Sequence, residues 1–109
     1  MVAAISLEAV AKMLRTLSDP NRLKIIQVLT VDCQFVSDIV RLTGLPQPLV
    51  SHHLRVLREQ GLAQFERNGA YITYCLIHPA VRETVEKVSE LAGTLQEIAE
   101  ARLKLKPQN

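Results

Sequence analysis

The sequence predicts a mainly helical domain with one β-hairpin, and three observations support this fold class. Apolar residues recur every three to four positions in several segments, which is the spacing of an amphipathic helix. Asn68-Gly69 joins two strand-like runs, and this dipeptide is typical of a tight hairpin turn. The chain has 109 residues, 48% of them apolar, which is enough for one domain with its own core.

Capping residues mark the start of the first two helices. Ser6 can cap a first helix over roughly residues 7–17. Asp19-Pro20 begins a second helix over roughly residues 20–30. Aspartate can accept the free amide protons of the first turn, and proline loses nothing at the first helical position because its missing N–H would be unpaired there.

The third and fourth helices follow each other closely. Ser37-Asp38 begins the third helix and Gly44 ends it, since glycine readily takes the left-handed conformation of a helix stop. Pro48 is expected at the first position of the fourth helix, which ends at Gly61. Two helices joined by a tight turn of this kind predict a helix-turn-helix arrangement.

The fourth helix has two different faces. Val50, Leu54 and Leu57 form an apolar inner stripe. The opposite face carries only hydrogen-bonding or cationic side chains, namely Gln47, Ser51, His52, Arg55 and Arg58. Such a face suits base edges and phosphates, although taken alone it could be an ordinary solvated surface. Net charge is only +2, so binding of nucleic acid would depend on where the charges lie and not on their sum.

Two strand-like runs, 62–67 and 70–77, form the predicted hairpin. With Asn68-Gly69 in a type I′ turn, the expected pairs are Arg67 with Ala70, Phe65 with Ile72, and Ala63 with Tyr74. The predicted core face carries Phe65, Ile72, Tyr74 and Leu76, and the other face carries Leu62, Tyr71, Thr73 and Cys75. Arg67, beside the turn, is a candidate for contact with a DNA backbone or minor groove.

A helix of about 25 residues, about 38 Å long, is expected after His78-Pro79. Its apolar side is wide, with Val81, Val85 and Val88 beginning a row that continues to the end of the helix. A domain of this size cannot cover such a stripe by itself. A partner helix in a second subunit is therefore expected.

Composition limits the remaining function classes. The sequence has no paired carboxylates, no nucleophile with an orienting base and no phosphate-binding loop, so an enzyme is not expected. Residues 1–5 lack a basic secretory leader, and no apolar run approaches the roughly 18 residues of a membrane-spanning helix. We therefore expect a cytoplasmic protein without membrane contact.

Cys33 and Cys75 are the two cysteines, and two distant thiols do not indicate a disulfide framework. A cytoplasmic location favours reduced thiols. Three interpretations stay open: ordinary small residues, a thiol-based sensor, or metal ligands together with His78 of a neighbouring chain. Adjacent His52 and His53 point about 100° apart on a helix, so they do not converge on one metal ion.

Several segments together resemble the ArsR/SmtB family, which are small dimeric winged-helix repressors of bacteria. The segments are Leu-Ser-Asp-Pro-Asn-Arg-Leu-Lys-Ile at 17–25, Ser-His-His-Leu-Arg-Val-Leu-Arg at 51–58 with its flanking residues, Arg-Asn-Gly at 67–69 and Tyr-Cys-Leu at 74–76. The resemblance covers residues 7–103. It implies a winged helix-turn-helix of four helices, a two-stranded wing and a fifth helix, with the fourth helix in the major groove.

The resemblance also implies which residues contact partners. The expected DNA contacts are Gln47, Pro48, Ser51, His52, Arg55, Arg58 and Arg67. The first and last helices are expected to form the dimer interface through Leu7, Val10, Leu14, Val81, Val85, Val88, Leu91, Leu95 and Ile98. Relatives often have serine where this chain has Pro46, so the recognition helix lacks that cap.

The positions that bind metals in relatives are altered here. Arsenic- and cadmium-sensing relatives have two cysteines where this chain has Phe35 and Ser37. The positions that bind zinc or nickel in other relatives correspond to His78, Ala80, Leu91 and Thr94. One potential ligand does not make a zinc site, which needs three or four. We expect no metal and no cofactor, and the effector stays open.

The leading hypothesis is a homodimeric repressor that binds an inverted-repeat DNA operator and is released by an unidentified effector. Residues 1–105 would form one DNA-binding and dimerisation domain, with 106–109 as a loose tail. One alternative is a winged-helix module that acts through protein contacts without specific DNA binding. An alternative for sensing is a thiol or redox switch at Cys33 or Cys75.

Overall fold

The structure is a computed structural model that describes residues 4–105, so residues 1–3 and the predicted tail 106–109 lie outside the described part. The elements within the described residues are α1 Leu7–Leu17, α2 Pro20–Val28, β1 Gln34–Phe35, α3 Val36–Thr43, α4 Gln47–Glu59, β2 Ala63–Asn68, β3 Tyr71–Leu76 and α5 Ala80–Lys104. This order confirms the predicted winged helix-turn-helix. It adds one short strand, β1, that the sequence did not reveal.

The predicted N-caps hold the first two helices. The Ser6 hydroxyl oxygen accepts the backbone N–H of Ala9 at 3.1 Å. One carboxylate oxygen of Asp19 accepts the backbone N–H groups of Asn21 at 2.9 Å and Arg22 at 3.0 Å. These bonds satisfy amide groups that have no partner inside a helix. The caps explain why α1 and α2 begin where the sequence indicates.

The turn between α3 and α4 also follows the sequence closely. Gly44 ends α3 with φ of +70°. α4 begins one residue earlier than expected, so Pro48 takes the second rather than the first helical position. Pro46 is the residue before the helix and supplies no side-chain cap. The missing serine hydroxyl therefore leaves the start of α4 without that bond.

The core surrounds the inner face of α4. Val50, Leu54 and Leu57 are fully buried, as predicted. α4 packs against α2, α3 and β2. The other members of this cluster are Leu17, Ile25, Ile26, Leu29, Ile39, Leu62, Ala63, Leu76 and Val85. Six elements besides α4 thus contribute apolar side chains to this cluster, and α4 lies at its centre.

The sheet is antiparallel with the order β1-β3-β2. The predicted hairpin register is wrong by two residues, because Phe65 pairs with Tyr74 and Arg67 with Ile72. Asn68 pairs with Tyr71 inside the ladder, which leaves Gly69 and Ala70 as the turn. Among non-glycine residues of the described chain none has positive φ, while Gly69 has φ of +63°. A turn with positive φ at its first central residue alone is typical of type II′ rather than type I′.

A register shift of two residues keeps every side chain on its predicted face. Burial nevertheless differs from the prediction. Phe65 is 40% exposed, since the hairpin extends beyond the helices, whereas Leu76 is buried. Thr73 and Cys75 on the other face are also buried, so both faces are covered at the helical end of the sheet.

Cys33 and Cys75 are joined by a disulfide bond, which corrects our expectation of two separate reduced thiols. The unrecognised strand β1 is the reason. Its residue Gln34 lies opposite Tyr74 in β3, so Cys33 lies opposite Cys75. Strand pairing therefore brings together two residues 42 positions apart.

A polar network ties α4 to α2. His53 is 5% exposed, and its Nδ1 lies 3.3 Å from Nη1 of Arg22. Because a guanidinium can only donate, Nδ1 accepts and the ring proton lies on Nε2. The Nε of Arg22 also donates to the backbone oxygen of Thr16 at 2.6 Å. A single arginine therefore connects the end of α1, the start of α2 and the middle of α4.

The same network controls protonation of His53. Burial lowers the pKa of His53 below its usual 6.5, and Arg22 also lowers it, while the nearby Asp19 carboxylate acts in the opposite direction. His53 is thus neutral near pH 7, and its Nε2, 3.8 Å from Oδ1 of Asp19, does not form a true ion pair at that pH. The backbone N–H of Arg22 is the main cause that lowers the pKa of Asp19.

The hairpin register predicts unequal effects of two neighbouring substitutions. Gly69→Ala should lower the free energy of unfolding by about 1 kcal/mol, since alanine is strained at positive φ. A Cβ at Gly69 would meet no atom within 4 Å, so the cost is in the backbone alone. Asn68→Ala should change stability by less than about 0.5 kcal/mol. Urea denaturation measures both, and equal costs would instead support a type I′ turn.

The His53 network predicts a pH-dependent stability. The unfolded chain binds a proton at His53 near pH 6.5, whereas the folded chain binds it only at lower pH. The free energy of unfolding should therefore fall as pH is lowered through and below 6.5, with a slope of at most about 1.4 kcal/mol per pH unit. His53→Gln should reduce this slope. The matched control His52→Gln, at an exposed position, should keep it, and a slope that survives His53→Gln unchanged would contradict the assignment.

Candidate DNA-binding surface

The outer face of α4 is an exposed polar surface. Gln47, Pro48, His52 and Arg55 are all exposed, and Ser51 is half-buried. Residues of a helix are 100° apart, so Pro48, His52 and Arg55 project away from the buried stripe of Val50 and its neighbours. Helical geometry thus turns the predicted polar face towards solvent.

Only weak contacts restrain these side chains. Nε2 of Gln47 lies 3.4 Å from the hydroxyl oxygen of Ser51, and Nη2 of Arg55 lies 3.4 Å from Nδ1 of His52. Both distances are at the long end of the hydrogen-bonding range. The donors and acceptors on this face can therefore exchange these contacts for a ligand at little cost.

Arg58 has a different environment from the other predicted DNA contacts. It is half-buried, and its guanidinium carbon lies 4.6 Å from the centre of the Phe65 ring. This is a cation–π contact between α4 and the hairpin. Phe65 in turn packs beside Tyr74, with ring centres 6.1 Å apart. Arg58 therefore helps to hold the hairpin beside α4, a role that the sequence did not predict.

The tip of the hairpin carries exposed residues. Arg67 is exposed near the end of β2. Tyr71, at the start of β3, is 67% exposed and packs edge-on against Phe35 with 5.9 Å between ring centres. Tyr71 was not among the predicted site residues. The sequence signal that could have identified it is an aromatic residue beside a hairpin turn.

A group of cationic side chains lies beside α4. Lys12 and Arg15 of α1, together with Arg22 of α2, line an open groove of about 400 Å³ that Val56 and Gln60 of α4 complete. This group could not be predicted from the sequence of α4, because its members lie in two other helices. It adds positive charge next to the polar face.

The predicted dimer contacts form an uncovered apolar surface on α1 and α5. Most of them are more than 40% exposed, namely Leu7, Leu14, Val88, Leu91, Leu95 and Ile98. Val10 and Val81 are half-buried. Val85 differs, since it is 4% exposed and belongs to the core of its own chain. Between these helices lies an apolar groove of about 350 Å³, lined in part by Leu17 and Leu23.

The altered metal positions have other structural roles. Phe35 ends β1, and Ser37 lies in the first turn of α3. Nδ1 of His78 accepts the backbone N–H of Ala80 at 3.0 Å. In the part of the chain that is described, no three His, Cys, Asp or Glu residues are grouped to hold a metal ion. No helix among these residues is long and apolar enough to cross a membrane.

Comparison with known proteins relates this architecture to DNA-binding regulators. Residues 19–64 match the sequence profile of the bacterial regulatory proteins of the arsR family. The chain is 35% identical over 89 residues to the biofilm growth-associated repressor of Xylella fastidiosa. The aligned region covers 82% of this chain and 72% of the relative. It is 37% identical over 70 residues to the repressor SmtB of Mycobacterium tuberculosis, covering 64% of this chain and 52% of that protein. The chain thus spans little more than half of some curated relatives.

Solved structures agree with the sequence relatives. The crystal structure of the transcriptional repressor BigR from Xylella fastidiosa has a TM-score of 0.69 and 32% sequence identity, over 77% of this chain and 86% of that chain. PagR of Bacillus anthracis, also a transcriptional repressor, has a TM-score of 0.64 and 32% identity, over 75% and 94% of the two chains. Sequence identity, family profile and winged-helix architecture together show that this chain belongs to the ArsR/SmtB family, whose members are DNA-binding transcriptional regulators and not enzymes.

Proposed function

We propose that this protein is a homodimeric repressor that binds an inverted-repeat operator in double-stranded DNA. The exposed polar face of α4 carries this proposal, because its side chains match base edges and phosphates and are only weakly restrained. Residues 1–105 act as one DNA-binding and dimerisation domain. Such a regulator works in the cytoplasm, where its DNA lies.

Each part of the surface has its own role in this proposal. α4 enters the major groove, where Gln47, Ser51 and His52 contact base edges or nearby phosphates. Arg55 contacts a guanine edge or a phosphate, for which a guanidinium is well suited. Pro48 lies at the leading end of the helix against the DNA. Arg58 holds the wing and remains near enough to the surface to contribute positive charge, and Arg67 contacts the backbone beside the minor groove.

The uncovered surface of α1 and α5 supports the proposed dimerisation. The radius of gyration is 17.7 Å, against about 13 Å for a compact chain of this length. The difference reflects a long helix whose outer half extends past the core. Val88, Leu91 and Leu95 are each more than half exposed there, and so many exposed apolar side chains in one row indicate a partner. The self-complementary partner is a second copy of the chain.

Two copies present two recognition helices. We expect the half-sites of the operator to lie about one helical turn apart, roughly 34–36 Å. An unidentified effector would release the operator by shifting the packing of the dimer helices. A coupling of about 1–3 kcal/mol is sufficient for such control.

Arg55→Ala tests the DNA-contacting face. The protein is first used to select a binding sequence from random DNA, and its Kd is measured by fluorescence anisotropy across a salt series. Arg55→Ala should weaken binding by about 1–3 kcal/mol, which is roughly 5- to 150-fold in Kd. If Arg55 contacts phosphate, the slope of the logarithm of affinity against the logarithm of salt concentration should also fall in magnitude by about 1.

Arg102→Ala is the matched control, because it removes the same charge from the exposed last turn of α5. It should leave Kd close to that of the unchanged protein. Equal Kd values for all three proteins would contradict the role of Arg55. If no sequence is selected at all, the module acts through protein contacts and the repressor proposal is wrong.

Leu95→Glu tests the dimer. Leu95 is 55% exposed on α5, and a carboxylate placed there would be buried without a partner in a dimer. Sedimentation at micromolar concentration should show a monomer, and operator affinity should fall because one recognition helix contacts only half of a site. Gln96→Glu, which adds the same charge at the adjacent exposed position, is the control and should stay dimeric. A dimer that persists in Leu95→Glu would place the interface elsewhere.

A further inference from the structure

The Cys33–Cys75 disulfide adds a covalent bond to the strand pairing between the connection that precedes α3 and the wing. Cys33 lies in the connection between α2 and α3, and Cys75 lies in β3, the central strand of the sheet. Their Cα atoms are 4.3 Å apart. This separation is normal for directly opposed residues of antiparallel strands at a non-hydrogen-bonded position. Strand pairing alone therefore places the two sulfur atoms next to each other.

The connection at this point is short. β1 consists of Gln34 and Phe35 only, and α3 begins at the next residue, Val36. Phe35 makes no side-chain cap for α3, but its ring packs on Tyr71 at the start of the opposite strand. β1 thus links the helix-turn-helix to the wing through a two-residue ladder at the edge of the sheet.

The two sulfur atoms differ in access. Cys75 is fully buried, whereas Cys33 is partly exposed. A small reagent from solution can therefore reach Cys33 first. Neither cysteine is among the proposed DNA contacts.

We propose that Cys33 and Cys75 form a reversible dithiol–disulfide site that sets the mobility of the wing and, through it, the affinity for the operator. This inference rests on the proposed DNA-binding function. Low-molecular-weight disulfides oxidise this pair of cysteines, and low-molecular-weight dithiols reduce it. Disulfides in the cytoplasm are usually transient and regulatory, which agrees with such a role.

The oxidation proceeds by two exchange steps. The Cys33 thiolate attacks one sulfur of a small disulfide RS–SR, which forms Cys33–S–SR and releases RS⁻. The Cys75 thiolate then attacks the Cys33 sulfur, which forms the Cys33–Cys75 bond and releases the second RS⁻. The two thiol protons of the protein end on the two RS⁻ groups, and two electrons pass from the protein to RS–SR. A small dithiol reverses the sequence by attack on the Cys33 sulfur, with Cys75 leaving as thiolate.

The oxidised form is the one with higher affinity. The bond fixes β1 against β3 and so fixes the wing relative to α3 and α4 before DNA arrives. A surface that is already ordered loses less conformational entropy on binding. If the reduced wing occupies this arrangement for about a fifth of the time, Kd rises about fivefold on reduction.

The experiment compares the full chain after treatment with oxidised glutathione and after treatment with dithiothreitol. Intact mass and thiol counting report the disulfide, hydrogen–deuterium exchange of residues 34–36 and 63–76 reports the wing, and anisotropy with the selected DNA reports Kd. Oxidation should remove two thiols, slow exchange in these segments and tighten binding about fivefold. Cys33→Ser should bind like the reduced protein under both treatments.

Cys75→Ala identifies the attacked thiol. In this variant glutathione should remain attached to Cys33 as a mixed disulfide, because the second thiol is missing. Cys33→Ser should resist the same modification, since Cys75 is buried. Modification of Cys75 in place of Cys33 would overturn the proposed order of steps.

The outcomes separate the redox site from the proposed function. Absence of the intramolecular disulfide at full oxidation, or equal exchange of the wing in both forms, overturns the inference. Slower exchange with unchanged operator Kd overturns its link to DNA affinity while DNA binding itself stands. If no DNA is selected in either form, the proposed function fails, and the exchange data still decide whether the disulfide orders the wing.

Discussion

Burial of one side of α4 determines how the rest of this molecule is arranged. Val50, Leu54 and Leu57 are fully buried against the surrounding helices and the base of the hairpin. Full burial of side chains of this kind stabilises by about 1.5–3 kcal/mol each. Once these side chains are inside, helical geometry directs His52 and Arg55 outwards. The polar face is thus a direct consequence of the packing behind it.

A polar contact supplements this apolar anchor. The side chain of Arg22 donates to the backbone oxygen of Thr16 and to His53, so directional bonds connect α4 to α1 and α2. Neutral His53 can accept such a bond, whereas a protonated ring would face the guanidinium as a second cation. The position of α4 and the protonation state of His53 are therefore coupled.

The wing is attached less firmly than the helices. Its tip extends beyond the core, and Phe65 is correspondingly exposed. Beyond the packing of its base in the core, the hairpin is connected to the helix-turn-helix by Arg58 over the Phe65 ring, by Phe35 against Tyr71 and by the Cys33–Cys75 bond. Each connects a different part of the hairpin. A change at one of them can therefore alter the position of the wing while the helical core stays intact.

The outer half of α5 carries apolar side chains that no neighbour in the described chain covers. A single chain buries Val85 but leaves Leu91 and Leu95 at the surface. Dimerisation would cover this stripe and at the same time set the distance between two copies of α4. The same helix would then contribute to stability and to the choice of operator.

The helices, the polar face of α4 and the family were all predictable from the residues alone. Helix ends depend on residues close in sequence, such as the cap at Asp19 and the glycine stop at Gly44, so local chemistry predicts them well. The folded chain was needed to find the pairing of β1, the hairpin register, the Cys33–Cys75 bond and the position of Arg58 on the wing. These features join residues far apart in the chain or depend on a difference of two residues in a ladder. The predicted and the observed hairpin registers place each side chain on the same face of the sheet, so the alternation of residues cannot distinguish them. The choice between the two registers depends on how the whole hairpin packs.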